Sequence, residues 1–425
     1  MIKKIGFIIT LSVIAANVHA QNNASPYSIV GIGDIEKGSF DRTTGMGYAG
    51  VALSSSKSLY NINPASYSSL DDYLFHVETS IRYKGISYAG KAIVDGSNSN
   101  SSDLVSKKLV FAIKIKPKWG FSFGLLPFST TNYSFTAKKT IQGTGFTTDA
   151  SYQGSGSVNQ AYIANSYRIA KGLSIGLQAS YLFGQQLQEE TIVTDLSNGS
   201  LYTKRNIALS KGFLLAGVQY STKLNKKWQI AVGGTISNKT KLDANYNLLV
   251  QDGTTTIENS ENYKNTYFTL PVMFTTGIAA TLKDRYTFAV DYNHQDWSSA
   301  NNTGVNYTLV NSDRISAGFQ FSKKKPLPAI YQGLSNQTVW YEKSFFQAGV
   351  FYSNSYLKMY GQQLNDYGFT IGGGLHATRS GLGIQGALEF GQRGTTANGL
   401  IKEKYTQFTL TILYKESWFG KRKYN

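Results

Sequence analysis

Apolar and polar side chains alternate along most of this chain. From Asp72 onward, Phe75, Val77, Thr79, Ile81 and Tyr83 share one face, while His76, Glu78, Ser80, Arg82 and Lys84 share the other. A period of two predicts strands. The pattern returns at Leu109–Ile115, at Leu173–Phe183, at Tyr286–Tyr292, at Leu382–Phe390 and at Phe408–Tyr414. In water such apolar rows would form the core of a sandwich. In a membrane barrel the same rows face lipid and the polar rows face the lumen. The inward set would include Glu78, Arg82, Lys84, Gln178, Asp291, Gln385 and Glu389, with Leu182 and Leu413 as apolar exceptions.

Turn spacing favours the barrel. Short basic turns fall near Lys116–Trp119, Ile169–Gly172, Leu224–Lys227, Lys283–Arg285 and Thr378–Gly381. Longer stretches rich in Ser, Asn, Thr and Gly lie between them, at about 85–105, 136–155, 186–204, 238–265, 295–311, 354–365 and 392–404. Short turns alternating with long outer loops are the pattern of outer-membrane barrels. The count is about 14 strands, an even number that leaves both termini in the periplasm. One connection, Lys323–Lys343, is long where a short periplasmic turn is expected.

The alternation is missing before Leu70. That region carries Gly31-Ile32-Gly33-Asp34, then Gly45-Met46-Gly47-Tyr48-Ala49-Gly50, then Asn61-Ile62-Asn63-Pro64-Ala65. Its glycines suit close backbone packing, and Pro64 forces Asn63 out of the helical region. Gly45, Gly47, Gly50, Asn63, Pro64 and Ala65 therefore mark a compact segment, expected to sit inside the barrel as a plug. At the very start, Lys3 and Lys4 precede an apolar run ending in Val18-His19-Ala20, as in a secretory signal peptide. The expected organisation is a signal peptide over 1–20, a hatch over 21–71 and a barrel over 72–425.

Composition changes this picture little. The chain has 425 residues, no cysteine, 42 glycines, 7 prolines and 29 tyrosines. With no thiol available, disulfide frameworks and thiolate metal sites are excluded. Charge says more. The formal net charge is +17, and seven windows at the expected periplasmic end hold 18 Lys and Arg against Asp284 and Glu416. Such a basic rim suits contact with anionic lipid headgroups, or docking of an acidic periplasmic partner. Export argues against nucleic acid as the target.

Little here points to catalysis. Gly45–Gly50 matches G-x-G-x-x-G literally, but a dinucleotide site needs a preceding buried strand and a following helix. His76, His294 and His376 are dispersed, without metal-ligand spacing. His294 with Asp296 and Asp71 with Asp72 are expected at opposite ends of the barrel. No enzyme activity, cofactor or metal is expected. Pro127, in the strand Gly120–Phe128, is unusual because proline cannot donate to a ladder and is normally confined to edges or bulges.

A small-residue segment ending Asn63-Pro64-Ala65 before a barrel resembles the FadL/TodX-type outer-membrane transporters. So do Asn365-Asp366-Tyr367-Gly368, Gly391-Gln392-Arg393-Gly394, Leu400-Ile401-Lys402-Glu403 and the closing Trp418-Phe419-Gly420. The resemblance implies an all-β transmembrane antiparallel barrel in the bacterial outer membrane, with a hatch in the lumen. It implies passive uptake of small hydrophobic compounds, of the fatty-acid or aromatic hydrocarbon type. It also implies a kinked third strand that opens the wall sideways, here at Gly124, Pro127 and Phe128. The polar inward row keeps two alternatives in play: a structural or secretion-associated barrel that holds a periplasmic or secreted protein, and a porin for polar solutes.

Overall fold

The computed structural model describes residues 25–417 apart from 73, 91–99, 142, 144, 195–198, 301–302, 305–306, 327–339 and 377–380. The expected signal peptide, the centre of the Lys323–Lys343 connection and the tail from Trp418 lie outside the described residues.

The wall is one antiparallel sheet closed on itself. In chain order the strands are β1 (Asp34–Ile35), β2 (Leu74–Ala89), β3 (Asn100–Lys116), β4 (Trp119–Thr130), β5 (Tyr133–Thr140), β6 (Thr147–Ala170), β7 (Leu173–Thr194) and β8 (Gly199–Lys223). They continue as β9 (Trp228–Ser237), β10 (Thr240–Asp252), β11 (Thr255–Leu270), β12 (Met273–Leu282), β13 (Tyr286–Gln295), β14 (Thr303–Gly304) and β15 (Tyr307–Leu309). The last are β16 (Ser312–Pro326), β17 (Trp340–Met359), β18 (Gln362–His376), β19 (Leu382–Arg393) and β20 (Lys402–Ser417). Several are halves of one pass, such as β4 with β5 or β9 with β10, so the wall has 14 passes. Closure comes from β2 against β20, in register from Leu74–Ser417 to Ala89–Lys402. Apart from β3 and β4–β5 beyond Leu109–Leu125, the passes ladder to neighbours on both sides, as a lipid setting demands.

The apolar rows point outward. Leu177 is 53% exposed and Phe288 49%, whereas Gln178 and Asp291 beside them are each 3% exposed. A sandwich would bury the first pair and expose the second. This is the transmembrane barrel, with lipid outside and polar groups within. The short turns Pro117–Lys118, Lys171–Gly172, Leu224–Lys227 and Lys283–Arg285 gather at the end where the wall begins at Leu74, here named the near end.

Two expectations need correction at the far end. Most of the stretches read as long outer loops are strand: β6 and β7 extend their ladder to Ala150–Ile192, and β10 and β11 form a hairpin that turns at Gly253. These hairpin ends meet water on the outside, so their residues need not alternate, and Thr and Ser keep their backbone in the sheet without an apolar row. The lumen is also less polar than the inward row suggested. Leu182 belongs to a large apolar cluster in the far half, with Phe128, Leu209, Phe213, Leu242, Leu270, Trp297 and Leu357.

Residues 25–70 run through the lumen from end to end. Pro26–Ile29, Thr44–Met46 and Pro64–Ser69 form short 3-10 turns, and β1 lies between the first two. The segment read as loop is thus a chain of single turns. Tyr27, Val30 and Ile32 pack into the far apolar cluster. Tyr67 and Leu70 pack near the opposite end with Val110, Ala112 and Tyr162.

Candidate functional site, a hatch latched to a seam in the wall

Local sequence shapes the hatch before the wall touches it. Asp41 accepts from the backbone N–H of Thr43 (2.8 Å) and of Asn61 (2.7 Å), tying two turns together. The Thr44–Met46 turn ends on Gly47 at φ +65°, and Tyr48 follows at φ +68°. Asn63 opens the next turn, its Oδ1 accepting from Ala65 N at 3.0 Å with Pro64 in the first position. This is an ordinary N-cap, with proline where its missing N–H costs nothing.

The wall receives these turns on glycine. A Cβ on Gly349 would lie 2.1 Å from the carbonyl carbon of Met46, and one on Gly318 would lie 2.5 Å from Met46 Cβ. Near the other end, a Cβ on Gly176 would lie 2.4 Å from Ala65 N, and one on Gly217 would lie 2.2 Å from Asn63 Oδ1. Inward polar groups then take the hatch's free N–H groups. Asp291 Oδ2 accepts from Gly50 N (2.7 Å) and Val51 N (2.8 Å), and Thr370 Oγ1 accepts from Gly47 N (2.8 Å). Asn63 Nδ2 donates to Val51 O (2.9 Å) and to Val218 O of the wall (3.1 Å).

Between Asp34 and Arg42 the hatch is latched by charge. Arg393 Nη1 donates to both oxygens of Asp34 at 2.8 Å. Lys107 Nζ reaches Glu36 at 2.6 Å and Arg82 Nη1 reaches it at 3.2 Å. Lys37 Nζ lies 2.5 Å from Asp366. Arg42 makes a two-pronged pair with Glu342 (2.7 and 2.6 Å) and lies 4.0 Å over the Phe345 ring. Burial alone would raise the Glu36 carboxyl, but Lys107 and Arg82 outweigh it and hold the group down at about 2. Burial likewise works against the Arg42 cation, and Glu342 more than restores it. Burial and then the Glu389 carboxylate push the Tyr48 phenol well above its usual value.

The Asp34–Glu36 end of the latch lies beside a break in the wall. Strands β3 and β4 are in register from Lys116–Trp119 to Leu109–Leu125, and the ladder stops there. Beyond it β4 pairs on that side with the hatch: Thr130 opposite Asp34, Ser129 opposite Ile35. Glu36 N donates to Phe128 O at 3.0 Å, and Ser129 Oγ to Ile32 O at 2.7 Å. On its other side β4 follows β6, with a bulge at Phe128 between Pro127–Asn159 and Ser129–Val158. Among the described residues no ladder joins β3 to β4 or β5 past Leu109–Leu125. A second bulge, in β3 against β2, brings both Lys107 and Lys108 into the interior. An internal chamber of about 350 Å3 lies along this seam, bounded by Glu36, Arg82, Asp103, Leu126, Pro127 and Phe128 among others.

The residues singled out from sequence therefore fall in three places. Gly45, Gly47 and Gly50 sit against the middle of the wall, and Asn63, Pro64 and Ala65 near the near end. Gly124 is inside intact ladder, opposite Val110 and Tyr162, while Pro127 and Phe128 flank the break. Asn63–Ala65 does not approach the seam; the hatch residues there are Ile32–Glu36. Sequence reasoning missed Asp34, Glu36, Lys37 and Arg42. The available signal was their density: five charges between Asp34 and Arg42 in an otherwise small and neutral segment. Of the dispersed histidines, His294 pairs through Nδ1 with Asp313 at 2.7 Å, not with Asp296.

A BamG family model matches residues 1–425, the whole chain. The chain belongs to the BamG family. Among curated proteins none matches it. In fold, this BamG-family chain is similar to a Pseudomonas aeruginosa FadL homologue, with TM-score 0.60, 13% identity and coverage of 91% of this chain and 99% of that one. It is similar also to the Pseudomonas putida toluene transporter TodX (TM-score 0.56, 16% identity, 91% and 100% covered). The Ralstonia pickettii toluene transporter TbuX follows at TM-score 0.50 and 14% identity, with 90% and 98% covered. BamG and FadL/TodX are different family names carried here by one architecture, a 14-pass barrel of the FadL/TodX type.

Proposed function

We propose that this barrel is an outer-membrane channel that passes small hydrophobic compounds from its far, extracellular half sideways into the membrane, through the seam between β3 and β4. The observation that carries this is the substitution of β1 for β3 along the edge of β4. A closed barrel has no reason to end a wall ladder in mid-membrane and borrow its partner from the plug, because unpaired backbone there is expensive. A movable partner makes such an edge useful. The far apolar cluster offers the route down to Phe128, and withdrawal of Ile32–Glu36 opens the wall. With Asp34 and Ile35 paired to Thr130 and Ser129, that edge of β4 is covered.

A second reading, a barrel serving as a structural member of an assembly, is favoured by how fully Tyr27, Val30 and Ile32 occupy the apolar interior. One experiment separates the two. The chain has no cysteine, so Ile35→Cys with Ser129→Cys places a single pair in register across the seam. Barrels in liposomes are assayed with 1-N-phenylnaphthylamine, whose fluorescence rises on entering the bilayer. The channel reading expects entry through the reduced pair and loss of entry on oxidation. Entry no faster than into empty liposomes in the unmodified barrel would reject the channel in favour of the structural reading.

A further inference from the structure

The lipid-facing wall carries a groove on the β3 side of the seam, with Asn100–Ser102 of β3 at one margin. It crosses β2, β20, β19 and β18 along the register line Gly85–Thr406–Phe390–Phe369 and encloses about 790 Å3. Its depth comes from Gly85, where an added Cβ would find nothing nearer than Tyr83 Oη at 3.8 Å. Its lower part is aromatic. Tyr83 is exposed, and Phe369 stacks on Phe390 with centroids 5.1 Å apart.

Its upper part is polar. Ser87 Oγ donates to Asn100 Oδ1 at 2.6 Å, and Gln392 Nε2 to Tyr367 Oη at 2.8 Å. On β20 the outward face ends in Lys404 and Lys402, two residues apart, and neither makes an ion pair among the described residues. The outward rows of these strands change from apolar to polar across the groove, at the level where hydrocarbon gives way to headgroups.

We propose that this groove binds a phosphorylated lipid of the outer leaflet, with acyl chain against Gly85, Tyr83 and the Phe369–Phe390 pair, and with phosphate at Lys404 and Lys402. The assignment of leaflet rests on the orientation given above, short turns in the periplasm. Shape and charge point the same way. The aromatic lower part suits a hydrocarbon chain, and the basic pair above it suits an anionic headgroup. A soluble anion would have no use for the aromatic part, and an uncharged lipid none for the lysines.

The test uses the full barrel in detergent, loaded with monophosphorylated lipid A or with its dephosphorylated form and read by native mass spectrometry. The unmodified barrel is expected to retain the phosphorylated lipid about thirtyfold better, the ratio for two basic residues at about 1 kcal/mol each. Lys402→Gln with Lys404→Gln is expected to abolish that preference, and Gly85→Leu to reduce retention of both lipids. Each variant is first shown folded by its heat-sensitive migration on gels. Equal retention of the two lipids by the unmodified barrel, or full retention by the Gly85→Leu variant, would overturn the proposal.

Discussion

Ile35 of the hatch lies opposite Ser129 of the wall, in the ladder position that β3 gives up beyond Leu109. The wall is therefore completed by a residue that is not part of it. The latch, the glycine seats and the seam all bear on whether Ile35 stays there.

Arg42 is the test of the latch as a buried ion pair. Its removal strands Glu342, and breaking such a pair from one side costs about 3–5 kcal/mol. Arg42→Met should lower the temperature at which the barrel loses its folded gel mobility. Arg42→Met with Glu342→Gln should recover most of the loss, because no unpaired charge remains. Similar melting of the single and double variants would show that the pair is not energetically coupled.

Glu36 gives the latch a defined pH window. Its carboxyl titrates at about 2 in the folded chain against an ordinary 4.5, so its stabilisation is complete above about pH 4.5 and disappears as the pH falls toward 2. The difference corresponds to roughly 3 kcal/mol. Glu36→Gln should make the barrel less stable at pH 7, and the gap to the parent should close as both are acidified to pH 2. A gap that persists at pH 2 would assign the effect to packing instead of charge.

The glycine seats predict a hatch that leaves while the wall survives. Gly349→Val places a side chain where the Met46 backbone lies. The expected result is a barrel with normal folded mobility that trypsin now cuts at Lys37 and Arg42. Gly212, where an added Cβ would meet nothing within 4 Å, supplies the control: Gly212→Ala should leave the hatch protected.

Asp291 holds two backbone N–H groups with one oxygen. Asp291→Ala should leave both without that acceptor, at about 1–3 kcal/mol for each buried donor, while Asp291→Asn keeps an oxygen in place and should cost less. Amide exchange at Gly50 and Val51 is the direct measurement. Faster exchange in the alanine variant alone supports the role, and equal exchange in both variants removes it.

The wall was legible in the sequence because each pass states its own two faces locally. Phe288 and Asp291 declare outward and inward without reference to any distant residue. The far hairpins were misread as loops because water on their outer surface removes the need for an apolar row. The latch was illegible for another reason. The partners of Glu36 lie at Arg82 and Lys107, and that of Asp34 at Arg393, separations that only barrel closure brings together. Pro127 did mark the broken ladder, but it says nothing of what fills the gap, since Asp34–Ile35 is too short a strand to show a period.

The glycine seats lie on strands spread around most of the circumference: Gly120 on β4, Gly176 on β7, Gly233 on β9, Gly318 on β16 and Gly349 on β17 abut hatch backbone, and Gly217 on β8 abuts the Asn63 and Pro64 side chains. The hatch precedes the first wall strand in the chain, and the cylinder closes between its first and last strands. With those seats, the plug is gripped around the cylinder and not at one hinge, so a shift at any single turn must be accommodated by strands on opposite sides of the wall.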